Sequence, residues 1–199
     1  MTDNIKYVFA VIGFVLSITA ALPYLLDIFR QKTKPHLFSW LIWVLITAIA
    51  FAGQLTDEGG VGAWVTGFNS VVCLFIFLLG FKYGEKHITR GDWISLAASI
   101  FVILLWLVTD TPFYSMICLC FIDVSGYFPT IRKSWHKPNE ETALTYFLSG
   151  MMYVTGIIAL QNYTWTTLLY PASLVFTNIA FVLYLLWRRA VTKGNHHVD

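Results

Sequence analysis

Seven stretches of mostly apolar residues divide this chain, and each is long enough to cross a bilayer as a helix. They cover residues 5–27, 37–55, 61–82, 92–109, 112–132, 142–160 and 165–188. A helix that crosses the hydrocarbon core needs roughly 20 such residues. Charged residues make up only 12% of the chain, whereas soluble domains carry roughly 25%. The sequence therefore predicts an all-α polytopic membrane protein with seven transmembrane helices.

The basic residues are confined to alternate connections between these helices. All of the lysines and arginines except Lys6 follow predicted helices 1, 3, 5 and 7: Arg30, Lys32, Lys34, Lys82, Lys86, Arg90, Arg132, Lys133, Lys137, Arg188, Arg189 and Lys193. Alternate connections of a membrane protein lie on the same side of the membrane. The side whose connections are rich in lysine and arginine is normally the cytoplasmic one. We therefore predict a multi-pass protein of the cell (inner or plasma) membrane, with its N terminus outside and its C terminus in the cytoplasm.

An internal repeat links the two halves of the chain at an offset of 106 residues. The matched positions are Pro23 with Pro129, Thr19-Ala20 with Ser125-Gly126, and Ser39-Trp40 with Thr145-Tyr146. After small drifts in register, Gln54 matches Gln161 and Asn69 matches Asn178. A period that recurs across three helices is typical of an internally duplicated membrane protein.

The repeat predicts three parts: a first three-helix repeat over 1–88, a linker helix 4 over 89–110, and a second three-helix repeat with a short cytoplasmic tail over 111–199. Without the linker the second unit would begin on the opposite side of the membrane. The extra helix restores the direction, so both units run parallel and pair about an axis along the membrane normal. The interface of such repeats is where transporters bind their substrates.

This 3+1+3 arrangement resembles the SWEET / PQ-loop transporter superfamily. Pro23 and Pro129 stand where the family has the proline of its Pro-Gln pair, and Asn69 and Asn178 where SWEETs have pocket asparagines. The segment Asp123-Val124-Ser125-Gly126 resembles an acidic segment of the lysosomal amino-acid exporters of the PQ-loop group. Tyr24 and Thr130 replace the glutamines, which points to a divergent, bacterial-type member. The resemblance implies alternating-access transport of a small polar solute: a sugar, an amino acid or a vitamin-like molecule.

Two asparagines are the first candidates for a substrate site. Asn69 and Asn178 lie in the middle of predicted helices 3 and 7, and an amide offers both a donor and an acceptor. At repeat-equivalent positions they can grip a polar, uncharged solute from two sides. Trp64, near the outer end of helix 3, and Ser17, the repeat mate of Asp123, complete the predicted site. The alternative is that these polar groups only bond neighbouring helices.

One carboxylate, Asp123, lies deep in a predicted span, and an acid there is by default a functional hypothesis. We predict that it couples transport to protons; the alternative is a structural, hydrogen-bonded carboxyl. Pro23 and Pro129 remove backbone hydrogen bonds and are predicted hinges, or simply helix terminators. Trp40 and Tyr146, at repeat-equivalent sites, are predicted to form a gate; the alternative is an interfacial aromatic belt.

Other classes of function lack a sequence signature. The chain has no nucleophile elbow, phosphate loop or zinc-protease motif, which predicts that it is not an enzyme. Its histidines lack metal-binding spacing, so we predict no metal and no cofactor. A net charge of +2 does not suggest nucleic acid. The predicted partners are a small polar solute, protons and lipid, and a homo-oligomer is compatible with the sequence. The alternative function is a non-transporting membrane receptor or scaffold on the same fold.

Overall fold

A computed structural model describes residues 3–107 and 112–195 and forms seven α-helices within them. These are α1 (Asp3–Phe29), α2 (Leu37–Thr56), α3 (Val61–Tyr83), α4 (Arg90–Leu107), α5 (Pro112–His136), α6 (Ala143–Ala159) and α7 (Trp165–Asn195), with a 3-10 turn (Pro138–Glu140) before α6. Each helix lies on one of the predicted apolar stretches, so the all-helical prediction is confirmed. The final residues 108–110 of the predicted linker lie outside the described residues, as do 1–2, 111 and 196–199.

Four of these helices are long and apolar enough to cross a membrane: α1, α2, α3 and α7. Within the described ranges, α6 is a shorter apolar helix of 17 residues. Large apolar side chains on the outside of the bundle, such as Val11, Val71 and Phe176, are more than half exposed. In water such a surface would be strongly unfavourable. The fold is therefore that of a helical membrane protein, as the composition predicts.

The helices of each half pack in the same order. α3 packs against both α1 and α2, and α7 packs against both α5 and α6. The two halves join mainly through α1 against α6 and α2 against α5, while α4 packs on the outside of α5. The shared core between the halves is aromatic and contains Tyr24, Trp40, Trp43, Tyr127 and Tyr146.

Three prolines lie inside helices and do not end them. The sequence leaves open whether Pro23 and Pro129 are hinges or helix terminators. Because α1 continues to Phe29 and α5 to His136, neither proline terminates its helix. Pro171 is likewise inside α7. A proline removes one backbone hydrogen bond, and a membrane helix tolerates this when a neighbouring helix supplies another donor.

Side chains of neighbouring helices supply two of these donors. The carbonyl four residues before the α5 proline is that of Ser125, and it accepts a hydrogen bond from Ser95 Oγ of α4 at 2.6 Å. The carbonyl four residues before the α7 proline is that of Thr167, and it accepts one from Gln54 Nε2 of α2 at 3.3 Å. The prolines therefore continue their helices because tertiary contacts replace the missing N–H.

Contacts gather the basic connections at one end of the bundle, called the basic end below. Lys34 of the α1–α2 connection pairs with Glu140 of the α5–α6 connection at 3.2 Å. Lys137 pairs with Glu85 of the α3–α4 connection at 3.1 Å. Arg189, near the end of α7, donates to a carbonyl of the 3-10 turn at 3.1 Å. The alternation of charge in the sequence thus corresponds to one physical end of the molecule.

The opposite end of the bundle contains the start of α1 and the connections α2–α3 and α6–α7. Lys6 Nζ donates to the backbone carbonyl of Gln161 at 3.2 Å and to its side-chain oxygen at 3.3 Å. The backbone N–H of Gln161 donates in turn to the carbonyl of Gly59 at 3.2 Å. These contacts join all three segments.

Candidate functional site

A small cavity lies in the middle of the bundle, between the two halves, with a volume of about 50 Å³. All of its lining residues are buried except Asn69 and Ser149. The walls come from α2, α3, α5, α6 and α7, and the lining residues are Trp40, Trp43, Thr47, Asn69, Cys73, Asp123, Tyr127, Thr145, Tyr146, Ser149, Tyr153, Leu174 and Asn178. The cavity has the room of roughly three or four waters.

Five residues singled out from the sequence meet in this cavity. Asn69, Asn178 and Asp123 contribute polar groups to its wall, and Trp40 and Tyr146 contribute aromatic rings. They belong to five different helices and are separated by up to 138 positions in the chain. Only the packing of the two halves brings them together.

Four other predicted residues lie elsewhere. Ser17 is buried in α1, 2% exposed, and does not line this cavity. Trp64 is 55% exposed and packs against Phe51, with ring centres 5.3 Å apart. Pro23 and Pro129 lie in α1 and α5 outside the cavity wall. Their predicted roles stay predictions.

Both asparagines use their amide nitrogens within the protein. Asn69 Nδ2 donates to the hydroxyl of Tyr153 at 2.7 Å. Asn178 Nδ2 donates to the carbonyl of Leu174, one turn earlier in α7, at 2.8 Å. Their amide oxygens accept no hydrogen bond from the described residues. The asparagines therefore present acceptors to whatever occupies the cavity.

The carboxyl group of Asp123 is fully buried and only half satisfied. Its Oδ2 accepts a hydrogen bond from Thr177 Oγ1 at 3.0 Å. Its Oδ1 makes no hydrogen bond of good geometry in the described part of the chain, although the indole N–H of Trp43 lies close enough to interact with the carboxyl group. A buried polar atom without a partner is costly and calls for an explanation. An occupant of the cavity that donates a hydrogen bond would satisfy it.

Gly126 leaves room for a tryptophan beside this carboxyl. It lies one turn after Asp123 in α5, and a Cβ atom there would come within 3.1 Å of Trp43 Nε1. The indole N–H of Trp43 interacts with this carboxyl group, but it makes no hydrogen bond of good geometry to any described residue. The sequence matches this glycine to Ala20 in the first repeat, which has a side chain. The close approach therefore belongs to the second half alone.

Aromatic rings form much of the remaining wall. Trp43 packs edge-on against Trp40 and Tyr127, with ring centres 5.1 and 4.9 Å apart. Tyr146 lies beside Tyr127 at 6.3 Å, and Tyr153 completes the ring on the side of α6. Such faces carry a partial negative charge that attracts cations.

A buried carboxylate, Glu141, closes the basic end of the cavity. It accepts hydrogen bonds from the hydroxyls of Tyr24 at 3.2 Å and Tyr146 at 2.9 Å, and from the ammonium group of Lys133. Trp40 Nε1 donates to the Tyr24 hydroxyl at 3.2 Å. We call these five residues the basic-end network. Two of its members, Trp40 and Tyr146, are the predicted gate, and both also line the cavity.

The sequence does not identify the other three members of this network. Glu141 and Lys133 sit among many charged residues of the connections, where nothing marks them as buried. Tyr24 carries one usable signal, since it occupies the position after the repeated proline. Its repeat mate Thr130 also bonds between helices, donating to Ser39 Oγ at 2.8 Å. The position after each proline is therefore an interhelical contact in both halves.

Direct contact between helices closes the opposite end. A Cβ atom at Gly62 of α3 would come within 2.8 Å of the backbone oxygen of Gly156 and the backbone nitrogen of Leu160, both on or next to α6. The two backbones are thus as close as a glycine permits. The Lys6–Gln161 contact lies over this point.

A second buried cluster supports the basic end. His36, in the α1–α2 connection, is fully buried, with Nε2 3.5 Å from Asp92 Oδ2. Arg132 donates to both oxygens of Asp92, at 3.0 and 2.7 Å. Burial lowers the pKa of His36 to about 4, against the opposing effect of Asp92. His36 is therefore neutral at physiological pH.

Comparison of the chain with protein-family models, curated proteins and solved structures finds no match.

Proposed function

We propose that this protein transports a small polar solute across the membrane by alternating access, with the central cavity as its binding site. The observation that carries the proposal is the cavity itself. It lies between two halves of like packing, it holds acceptor groups without a donor among the described residues, and a separate set of contacts lies at each end of the bundle. Alternating access requires a solute site of this kind, with contacts on either side that can open in turn.

The proposed architecture has seven membrane spans in two parallel three-helix units joined by α4. At 1.5 Å per residue, α4 and α6 are about 26 Å long, which is close to the hydrocarbon thickness of about 30 Å. The like packing of α3 and α7 within their halves supports the repeat. So do Gln54 and Gln161, which match in sequence and both bond across the halves, Gln54 to α7 and Gln161 to α1. This arrangement is the one that the SWEET / PQ-loop resemblance implies.

The proposed orientation places the basic end in the cytoplasm and the N terminus outside. It rests on the gathering of basic segments at one end. The test uses Lys34→Cys and Glu58→Cys, one at each end of the bundle, with an impermeant thiol reagent on intact cells. Labelling at position 58 and not at 34 is expected. Labelling at 34 alone would reverse the orientation.

Alternating access needs each closure to open without unfolding the bundle. At the basic end the contacts are side-chain hydrogen bonds, which water can replace. The prolines at 23 and 129 are the proposed hinges, since the nearby carbonyls are held by side chains of other helices. In α1, Thr145 Oγ1 donates to the carbonyl of Ala20 at 2.9 Å, and in α5 Ser95 plays this part. Side-chain donors can be exchanged at lower cost than a backbone ladder.

Asp123 is the proposed site of proton coupling. It is the one carboxyl group in the cavity wall, and burial in a low dielectric disfavours a charged carboxyl. Its repeat mate is a serine, so this route carries at most one proton per cycle. Vesicles with an imposed pH gradient test it. Coupling is wrong if the parent protein accumulates no solute, and Asp123 is not the site if Asp123→Asn still does.

The test of the proposed function is uptake into proteoliposomes from a panel of radiolabelled sugars, amino acids, vitamins and small organic cations. Asn69→Ala and Asn178→Ala should each lower uptake about tenfold or more, because a hydrogen bond to the solute is lost from a buried site. Asn139→Ala, in the exposed α5–α6 connection, is the matched control and should keep full uptake. A solute that binds but is never taken up would instead favour a receptor or scaffold.

A further inference from the structure

The cavity offers an occupant three oxygens that accept hydrogen bonds, together with hydroxyl groups that can also donate them. Asn69 Nδ2 contacts Tyr153 and Cys73, Asn178 Nδ2 donates to the carbonyl of Leu174, and neither amide oxygen accepts a hydrogen bond from the described residues. Asp123 offers an unpartnered carboxyl oxygen that is fully buried. Among the described residues, the second N–H of Asn178 and the hydroxyls of Ser149 and Tyr153 have no acceptor. An occupant that satisfies the three oxygens must therefore carry several hydrogen-bond donors, and it can also accept from these groups.

The wall contains an acid and no base. No lysine, arginine or histidine lines the cavity, and Lys133, at its basic end, is held by Glu141. The titratable side chains close enough to feel the charge of Asp123 are cysteines and tyrosines from α3, α5, α6 and α7: Cys73, Cys120, Tyr127, Tyr153 and Tyr170. An ionised Asp123 therefore has no counter-charge among the described residues. The missing positive charge must come from a proton or from the occupant.

Aromatic faces add a third constraint. Five rings line the space around the carboxyl: Trp40, Trp43, Tyr127, Tyr146 and Tyr153. Rings around a carboxylate are the arrangement that binds organic cations, through cation–π attraction and a charge-assisted hydrogen bond. A zwitterion fits poorly, because its own carboxylate would be buried without a cationic partner.

From these three features we infer that the solute of the proposed transporter is a small organic cation rich in N–H donors, of the guanidinium or ammonium kind. The cation binds Asp123 Oδ1 and the two asparagine oxygens with its N–H groups and lies against the aromatic rings. The volume of about 50 Å³ limits it to a few heavy atoms in this structure. The inference rests on the proposed function and specifies its substrate class.

Competition for Asp123 would couple the movement of the cation to that of a proton. Asp123 can hold either a proton or the cation, and not both. Each cation that binds therefore displaces the proton, which makes the coupling an exchange of one cation for one proton.

Guanidinium and urea are a matched pair of probes for this site. They share a planar shape and a size of four heavy atoms, and only guanidinium is charged. Binding of radiolabelled guanidinium and of urea to the purified protein is measured first, followed by uptake of each into proteoliposomes. Glycine serves as the small zwitterion. We expect guanidinium to bind and to be taken up at least tenfold better than urea and glycine, and its binding to weaken as the pH falls.

Substitutions of the acid locate the site. Asp123→Asn removes the charge and keeps the shape, and should weaken guanidinium binding about tenfold or more. Asp123→Glu keeps the charge and should retain part of the binding. Asp3→Asn, the same change at the exposed start of α1, should alter nothing. If Asp123→Asn does not fold, the comparison of guanidinium with urea on the parent protein still decides the matter.

The outcomes separate the inference from the proposed function. Binding of guanidinium without uptake would keep the cation site and overturn transport. Uptake of a neutral solute that depends on Asn69, with no binding of guanidinium, would keep transport and overturn the cation. Equal binding of guanidinium and urea, or guanidinium binding that survives Asp123→Asn in a folded protein, would overturn the inference as well.

Discussion

The two ends of the bundle are closed by different kinds of contact. At the basic end, hydroxyl, indole and ammonium groups converge on the carboxylate of Glu141 and on one another. At the opposite end, the backbones of α3 and α6 touch at Gly62. The closure at the basic end consists of hydrogen bonds and can adopt several geometries, because water can replace each partner. The closure at the opposite end consists of backbone contacts, which hardly allow the two helices to shift.

We therefore expect the two ends to open in different ways during the proposed transport cycle. A closure made of hydrogen bonds can open through many small steps, each of modest cost. A closure made of packed backbone opens only when one helix moves away from the other as a body. We therefore expect substitutions at the basic end to act through charge and their effects to depend on pH. We expect substitutions at the opposite end to act through side-chain volume.

The largest effect is expected from Glu141→Gln. It leaves the ammonium group of Lys133, whose side chain is 2% exposed, without its carboxylate. Breaking a buried ion pair by removing one partner costs about 3–5 kcal/mol. Thermal unfolding of the purified protein in detergent should show this loss, and the double variant Lys133→Met with Glu141→Gln should recover much of it.

Glu140→Gln is the matched control for that change. It is the adjacent glutamate, and it pairs with Lys34 at 3.2 Å on the partly exposed rim. Exposed pairs contribute about 1 kcal/mol or less. Equal losses from Glu140→Gln and Glu141→Gln would show that the basic end does not depend on a buried carboxylate.

The next effect is expected from Gly62→Ala at the opposite end. The new methyl group would lie 2.8 Å from backbone atoms of Gly156 and Leu160, which no side-chain rotation can relieve. Overpacking typically costs about 1–3 kcal/mol, and a collision with backbone belongs at the upper limit. In transport assays the same change should hold this end partly open.

Gly156→Ala tests whether the loss of stability is specific to position 62 or follows from replacing any glycine of this interface. It lies in the same interface, but its Cβ would meet only Val65 at 3.5 Å, an ordinary contact. Alanine also has the higher helix propensity. Gly156→Ala should therefore leave the unfolding temperature unchanged or raise it. A similar loss for both variants would argue against a backbone closure at Gly62.

The pH dependence of the basic end follows from His36. Burial lowers its pKa to about 4 from an ordinary value of 6.5. Between pH 6.5 and pH 4, His36 is protonated in the unfolded chain and neutral in the folded protein. The free energy of unfolding therefore falls as the pH is lowered through this range. The total loss from this group is at most about 3 kcal/mol. Above pH 6.5, His36 does not make the stability of the protein depend on pH.

Variants of two histidines isolate this contribution. His36→Gln should flatten the fall in unfolding temperature between pH 6.5 and 4. His87→Gln, an exposed histidine of the α3–α4 connection, should leave the fall as it is in the parent protein. An unchanged pH profile for His36→Gln would mean that His36 is not the group responsible.

The smallest effect is expected from Lys6→Met. Lys6 makes two hydrogen bonds to Gln161 at the opposite end, and their loss should cost about 1 kcal/mol. Lys32→Met, in the exposed α1–α2 connection, is the control. If Lys6→Met costs as much as Glu141→Gln, the opposite end is held by charge too, and the contrast between the two closures fails.

The elements of the fold were predictable from the sequence, and part of the candidate site was as well. Seven apolar stretches place the helices to within a few residues, except at the end of α7, which continues to Asn195, because the length and apolar composition of a helix are properties of each segment by itself. Polar residues inside such stretches, Asn69, Asn178 and Asp123, stand out for the same reason. All three line the cavity.

The fate of the prolines was not predictable. Pro129 lacks the N–H that would continue the backbone hydrogen bonds of the helix, and the sequence leaves open whether it is a hinge or a helix end. The helix continues because Ser95, on another helix, bonds the freed carbonyl. A local pattern shows that a hydrogen bond is missing, but not whether a distant side chain replaces it.

The sequence by itself determined the helices, the charge asymmetry between the two ends and the polar positions within the apolar stretches. These are properties of single segments or of segments compared with each other. The tertiary structure decided which groups meet: the buried pair of Lys133 and Glu141, the contact of α3 with α6 at Gly62, and the unpaired oxygen of Asp123. Burial and partnership depend on how helices dock, and docking joins residues whose positions in the chain carry no mark of one another.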